Sequence, residues 1–308
     1  MNRYAFLQVD VFTRQPFGGN QLAVFTDGRG LHTEQMQILA REMNFSETTF
    51  VLPPETPGGH KKVRIFTPAI EMPMAGHPTV GTAAALVQHG LVDLSPGQPL
   101  ILELGIGPVK VELEPRGTGA PFAWMSHRLP QFSEYERSRK AVANALGIEV
   151  EEIRTDLPLE IVSTGVPFLF VPLTSLAAIC RARSEAAALA RLFEGMETAH
   201  VTLFTQEVEP PTAGYAPADF HARMYSPHLA GVVEDPATGS MAAPFGAYLA
   251  KHGVLADEPK VAFDIEQGLE MRRPSRIKVE VCRDGERFTS LRIGGDSVIV
   301  GEGTLYWE

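Results

Sequence analysis

Two stretches of this chain of 308 residues echo one another, and that echo constrains the fold more than any other feature. The first reads RIFTPAIEMPMAGHPTVGTAAALVQHGLV from Arg64; the second reads RMYSPHLAGVVEDPATGSMAAPFGAYLAKHGVL from Arg223. Arg64 matches Arg223, Phe66 matches Tyr225, Thr67 matches Ser226 and Pro68 matches Pro227, a shift of 159 (223 − 64). The same shift carries Thr79 onto Thr238 and Ala83 and Ala84 onto Ala242 and Ala243. Both copies then stop at His-Gly, His89-Gly90 and His252-Gly253, the second after four extra residues. A weaker echo joins GGNQLAVF, from Gly18, to TGVPFLFVP, from Thr164. The period is too long for a solenoid, so the expectation is two similar domains related by a pseudo-twofold axis.

Each copy centres on a helix. TVGTAAALVQHG begins at Thr79 and stops at Gly90; TGSMAAPFGAYLAKHG begins near Thr238 or Ser240 and stops at Gly253. Thr and Ser are good N-caps, and glycine suits the left-handed position after a helix end. Both helices are small and apolar nearly all round, which predicts burial on every side. Pro244 falls inside the second, close enough to its start to be tolerated with a bend. The flanking segments RIFTP, LILEL, VKVELE, FAWMSH, HVTLFT, ARMYS, VAFDIE, RIKVEV and SVIVGEG read as strands. The expected class is α+β, with domains at 1–119 and 120–308. Each is a curved, mostly antiparallel sheet wrapped around a central buried helix.

Composition excludes several partners. A formal net charge of −10 with no basic cluster argues against nucleic acid and against an anionic membrane. The start, MNRYAFLQVDVF, has no long apolar run and no small-residue cleavage site, so no signal peptide is read. The stretch IVSTGVPFLFVPLTSLAAIC (161–180) carries no charge and is nearly long enough to span a bilayer. Pro167 and Pro172 do not suit a helix interior, and a buried strand followed by a turn and a helix start is expected instead. Cys180 and Cys282 have no metal or redox spacing, and two cysteines fit a reducing cytoplasm. The nine histidines include no H-E-x-x-H, and the chain has no G-x-G-x-x-G or Walker pattern. Neither a metal nor a cofactor is expected.

Two features suggest chemistry. In AREMNFSETTF, Glu47 stands where a helix turns into an apparently buried strand, with no cation closer in sequence than Arg41. Burial without a cation raises a carboxylate's pKa, and a general acid–base group works best near the operating pH. An acid that merely caps the turn fits the residues as well. The loops MAGHPT and VEDPATGS precede the two helices and leave backbone N–H groups at helix N-termini, where a carboxylate or other anion is favoured. Under the 159 shift Gly76 falls on Asp235, which suggests one shared cleft for a small carboxylate-bearing molecule.

The segments DVFTRQPFGGNQLAVF, NFSETTFV, FTPAIEMPMAGHPTVGTAAAL, STGVPFLFVPL and EDPATGSMAAPFGAYL, in this order over nearly the whole chain, resemble the PhzF-like (phenazine biosynthesis-like) isomerase family. The resemblance implies a diaminopimelate-epimerase-like fold whose C-terminal strand, about 299–308, can cross back to the first domain. It also implies a cofactor-independent, homodimeric isomerase; in the phenazine enzyme a glutamate moves a proton on a dihydro-hydroxyanthranilate. Glu47 matches that glutamate. His77 and Asp235 match further active-site positions that bind and orient substrate or help the proton along. Ser46 and Ser240 are candidate hydrogen-bond donors to the ligand, and Gly76, Thr238 and Gly239 candidate sources of backbone N–H groups. Related two-base racemases carry a cysteine before each helix; Ala75-Gly76 and Asp235-Pro236 stand there instead, so a two-thiol racemase is excluded. Gln21 stands where many members have proline, which leaves substrate choice open. A single base favours an allylic or keto–enol shift, Asp235 as a second base would allow epimerisation, and a binding protein without turnover is the third reading.

Overall fold

A computed structural model describes residues 2–95, 97–117, 119–184, 186–196, 198–211, 214–226 and 234–307. The chain divides into two compact units, 1–126 with 294–308, and 127–293. The first contains β1 (Asn2–Val11), β2 (Asn20–Phe25), α1 (Thr33–Met43), β3 (Glu47–Leu52), β4 (Lys61–Phe66), β5 (Glu71–Met72), α2 (Gly76–Gln88), β6 (Leu100–Leu104), β7 (Gly107–Glu114) and β8 (Phe122–His127). The second contains β9 (Gln131–Glu134), α3 (Arg139–Leu146), β10 (Glu160–Ser163), β11 (Pro167–Pro172), α4 (Leu176–Arg181), α5 (Ala186–Leu192), β12 (His200–Thr205), β13 (Phe220–Tyr225), β14 (Glu234–Asp235), α6 (Gly239–Lys251), β15 (Lys260–Gln267), β16 (Ser275–Asp284) and most of β17 (Arg287–Gly295). The last strand, β18 (Ser297–Trp307), returns to the first unit and pairs antiparallel with β1 along its whole length. The unit boundary falls later than the break expected at residue 119, because β8 pairs with β7 through Val111–Met125 to Glu114–Phe122 and stays with the first sheet.

Strand pairing repeats between the units. In the first, β1–β2 is antiparallel, β2–β3 parallel, β3–β4 antiparallel, β4–β5 antiparallel, β4–β6 parallel and β6–β7 antiparallel. In the second, β10–β11, β11–β12, β12–β13, β13–β14, β13–β15 and β15–β16 follow the same sequence of senses. The parallel pairs arise where a helix crosses over: α1 between β2 and β3, and α2 between β4 and β6.

The repeat places the four extra residues differently from the sequence reading. Arg64 and Arg223 keep the shift of 159, but Glu71–Met72 corresponds to Glu234–Asp235 and Gly76 to Gly239, a shift of 163. The insertion therefore precedes the helix, in a stretch that includes 227–233, outside the described residues, where the Pro68–Pro227 match also lies. Asp235 consequently corresponds to Met72 and not to Gly76, and Thr79 corresponds to Ala242 and not to Thr238.

Each unit is built around its helix. α2 is buried from Gly76 to Leu86 and packs against β1, β2, β3, β6, β7 and β18; α6 is buried over most of its length and packs against β10, β11 and β16. Close approach needs small residues: a Cβ at Gly81 would stand 2.4 Å from Val11 Cγ2, and one at Gly246 would stand 2.8 Å from Val281 Cγ2. α2 starts earlier than expected, with Ala75 as N-cap, because Pro78 in the first turn loses nothing by lacking an N–H. Its expected cap, Thr79, instead donates from Oγ1 to the Ala75 carbonyl at 2.7 Å. α6 runs on through Pro244. Gly90 and Gly253 take the left-handed conformation expected after each helix (φ 63° and 68°). The uncharged stretch 161–180 resolves into the end of β10, β11 and the start of α4, and no helix among the described residues is long and apolar enough to cross a membrane.

Candidate active site

Glu47 opens β3. The preceding α1 closes on Asn44, whose left-handed backbone (φ 53°) turns the chain sharply and donates its N–H to Ala40 O. Phe45 and Ser46 complete the turn, and β3 then lies parallel to β2 with Glu47 beside Leu22. Asn20, two residues before Leu22, shares its face of β2. His77 is the second residue of α2, in the first turn of the helix that the sheet encloses.

These elements bring four side chains together within the first unit. His77 Nε2 lies 3.2 Å from Glu47 Oε2, with both side chains almost buried. His77 Nδ1 lies 3.3 Å from Asn20 Nδ2, and Ser46 Oγ donates to Asn20 Oδ1 at 3.0 Å. Asn20 is fully buried. Burial pushes the His77 imidazolium down to about 3, against a small opposing effect of a hydrogen bond to the Gln21 backbone. His77 is therefore neutral near pH 7, and its contact with Glu47 is a close approach without a hydrogen bond between the two atoms, not a salt bridge.

The loop that delivers Asn20 is tied down by two carboxylates. Asp10, on β1, accepts the Phe17 N–H at 2.6 Å. Asp296 accepts from Arg14 Nε at 2.8 Å and Arg116 Nε at 3.1 Å, while its carbonyl accepts the Phe12 and Thr13 N–H groups. Phe17 has φ 70° and a largely exposed ring.

In the second unit, Asp235 ends β14 and Thr238 caps α6. Thr238 Oγ1 donates to Asp235 Oδ2 at 2.5 Å. The fully buried Gln267, the last residue of β15, clamps this loop: its Nε2 donates to the Asp235 carbonyl (2.8 Å) and reaches Thr238 Oγ1 (3.0 Å), while its Oε1 accepts the Thr238 N–H (3.1 Å). Gly239 and Ser240 form the first turn of α6, as Gly76 and His77 do in α2. Neither helix start has a side-chain cap bond. Among the expected site residues, Ser46, Glu47, Gly76 and His77 thus belong to one unit and Asp235, Thr238, Gly239 and Ser240 to the other. Asn20 and Gln267 went unmarked in the sequence reading: an amide inside GGNQLAV or DIEQGL has no local signal, and only burial against a loop or histidine singles it out. Among the described residues, no group of three His, Cys, Asp or Glu is placed to hold a metal ion.

A mixed sheet around a buried helix, built twice, is the α+β fold of the diaminopimelate epimerases, proline racemases and their relatives. A hydroxyproline epimerase from Agrobacterium vitis shares it, with a TM-score of 0.65 at 12% identity over 99% of this chain and 91% of that one. Residues 9–303 match the phenazine biosynthesis-like protein family, and the chain belongs to that family. It is 41% identical to an uncharacterised isomerase of Mesorhizobium japonicum, over 98% of both chains. It is 37% identical to the trans-2,3-dihydro-3-hydroxyanthranilate isomerase of Pseudomonas fluorescens, over 97% of this chain and 98% of that one. The crystal structure of a Bacillus anthracis phenazine biosynthesis protein of the PhzF family superposes with a TM-score of 0.90 over both whole chains, at 29% identity. The chain is an isomerase of this family.

Proposed function

We propose that this isomerase moves a proton between two carbons of a small carboxylate-bearing metabolite, with Glu47 as the sole acid–base group and without a cofactor. The observation that carries the reading is a buried carboxyl group held against a neutral histidine, Glu47 Oε2 3.2 Å from His77 Nε2. A neutral imidazole beside the carboxylate does not supply the positive charge that would make it a weak base. Glu47 takes a proton from carbon, the electron pair shifts along the adjoining unsaturated system, and Glu47 returns the proton at its far end. The start of α2, without a side-chain cap, suits the substrate carboxylate. The cyclic amino acid named for the Pseudomonas fluorescens relative has that chemistry.

The test is Glu47→Gln, which keeps the side-chain size and cannot carry the proton. Turnover should fall by roughly 10²–10⁴ while fold and ligand binding survive. In deuterated water, a sole shuttle places deuterium at the receiving carbon only to the extent that Glu47 exchanges between steps. An epimerase using Asp235 as second base would wash the label in at the original carbon and lose turnover in Asp235→Asn to the same degree. Near-wild-type turnover of Glu47→Gln removes the proposal. A homodimer is part of the same reading, and a light-scattering mass of 33.6 kDa, that of one chain, would remove it.

A further inference from the structure

Phe17 is held against its own preference. It is the most exposed large apolar side chain among the described residues, at 73%. Its backbone is left-handed (φ 70°), a conformation that a bulky residue keeps only when its surroundings impose it. The buried Asp10 helps to impose it by accepting the Phe17 N–H at 2.6 Å. Phe12, at the start of the same loop, is also left-handed (φ 66°), but its ring is fully buried and its packing offsets the strain. The Phe17 ring, standing in solvent, offsets nothing. Strain of this kind gathers at ligand clamps.

The repeat shows that the fold does not need this loop. Residues 12–19 join β1 to β2, whereas residues 164–166 join their counterparts β10 and β11. The longer connection belongs to the unit that carries Glu47, and the shorter one to the unit with His200 in that place. Phe17 lies three residues before Asn20, so their Cα atoms are within about 11 Å of each other. Asn20 Nδ2 in turn stands 3.3 Å from the ring of His77, the neighbour of Glu47.

We propose that Phe17 determines specificity in the isomerase reaction: its ring covers the flat face of an unsaturated cyclic carboxylate bound beside Glu47. This rests on the reading of the Glu47 site as the place where a small carboxylate-bearing metabolite binds. A flat unsaturated ring gives the Phe17 ring a stacking partner and takes both out of water, which an acyclic carboxylate cannot do. The tether to Asp10 holds the ring in place before the ligand arrives, so less freedom is lost on binding.

The probes are benzoate, a flat ring bearing one carboxylate, and acetate, the carboxylate with no ring. Each is titrated into the intact protein and followed by NMR through the ring resonances of His77, assigned with His77→Gln. Benzoate should bind the wild type more tightly than acetate. Phe17→Gly should weaken benzoate roughly tenfold and leave acetate unchanged, and Phe17→Tyr should keep the benzoate affinity. Thermal unfolding is the second readout. Phe17→Gly should not lower Tm, because glycine accepts the left-handed backbone and loss of an exposed ring leaves no cavity. Equal benzoate binding by wild type and Phe17→Gly overturns the proposal, as does a wild type with no preference for benzoate. A Tm lowered by several degrees would reduce Phe17 to packing, and a changed light-scattering mass would assign its ring to a second copy of the chain. Glu47→Gln should still prefer benzoate, so failure of the proton-carrier reading alone leaves the binding result standing.

Discussion

Arg64 and Arg223 occupy the same place in the two units and make the same bond, yet they live in different surroundings. Arg64 forks onto Glu71 at 2.7 and 2.6 Å beside an open groove of about 670 Å³, which Lys62, Glu55 and Glu103 also line. Arg223 forks onto Glu234 at 2.7 and 2.8 Å, but its side chain is only 3% exposed, and its Nη1 donates to the Ile179 and Ala182 carbonyls at the end of α4. The neighbours diverge likewise. Lys62 corresponds to His221, which is buried with Nδ1 2.8 Å from Glu266 and Nε2 3.0 Å from Glu270. Where Glu270 follows β15, the first unit has Gly107 and the groove. The register, with Phe66 opposite Glu71 and Tyr225 opposite Glu234, sets each arginine two residues along on the same face, diagonal to its glutamate. What covers them decides whether the pair sits in water or in the core.

The chemistry diverges on the same scaffold. Glu47 at the head of β3 corresponds to His200 at the head of β12, whose Nδ1 lies 2.9 Å from Ser226 Oγ and whose ring packs on Phe168. Asp235 corresponds to Met72, and His77 to Ser240. Each unit thus carries one carboxylate where the other has none.

The sharpest way to break this asymmetry is to compare Glu47→Gln with His200→Gln. The first should cost roughly 10²–10⁴ in turnover and the second less than about threefold, since His200 is engaged in packing. Equal losses would mean that both copies take part in the chemistry. Next in size, Arg223→Met should cost about 3–5 kcal/mol in denaturant unfolding, because it strands Glu234 and Glu270 in a buried site. Arg64→Met should cost about 1 kcal/mol or less, since Arg64 and Glu71 are partly exposed. Similar losses would show that cover does not set the value of the pair.

Two of the buried histidines, His77 and His221, distinguish the units by pH. Burial alone would lower His221, but hydrogen bonds to Glu266 and Glu270 outweigh it and push it up to about 9. Its native form holds a proton that the unfolded chain releases near 6.5, so its contribution of roughly 3 kcal/mol is present below that pH and lost as pH rises through 9. For His77, near 3, the unfolded state takes the proton first, so stability falls as pH drops from about 6.5 towards 3. Unfolding of His221→Gln across pH 6–10 should lose the alkaline slope, and a slope that persists would assign it elsewhere. Between the two arginine variants in size falls Thr238→Ala, which gives α6 the residue that caps α2. Loss of the bond to Asp235 should cost about 1–2 kcal/mol by thermal unfolding, and no loss would make that bond incidental.

The amino-acid pattern alone determined the duplication, the two buried helices and the strands around them. These follow from local periodicity and from the lack of polar residues on any helix face, both of which are written in consecutive residues. The pattern could not place the four extra residues, because Thr79 and Thr238 look alike in sequence while the pairing of β5 and β14 sets the true register. Nor could it find Asn20 and Gln267, whose amides matter only through partners such as His77, 57 residues away, and Thr238, 29 away. Whether His221 is charged and His77 neutral was likewise decided by tertiary structure. The two rings are chemically identical; His221 is hydrogen-bonded to two carboxylates, whereas His77 is buried beside Glu47 without a hydrogen bond to it, and that difference separates their proton affinities.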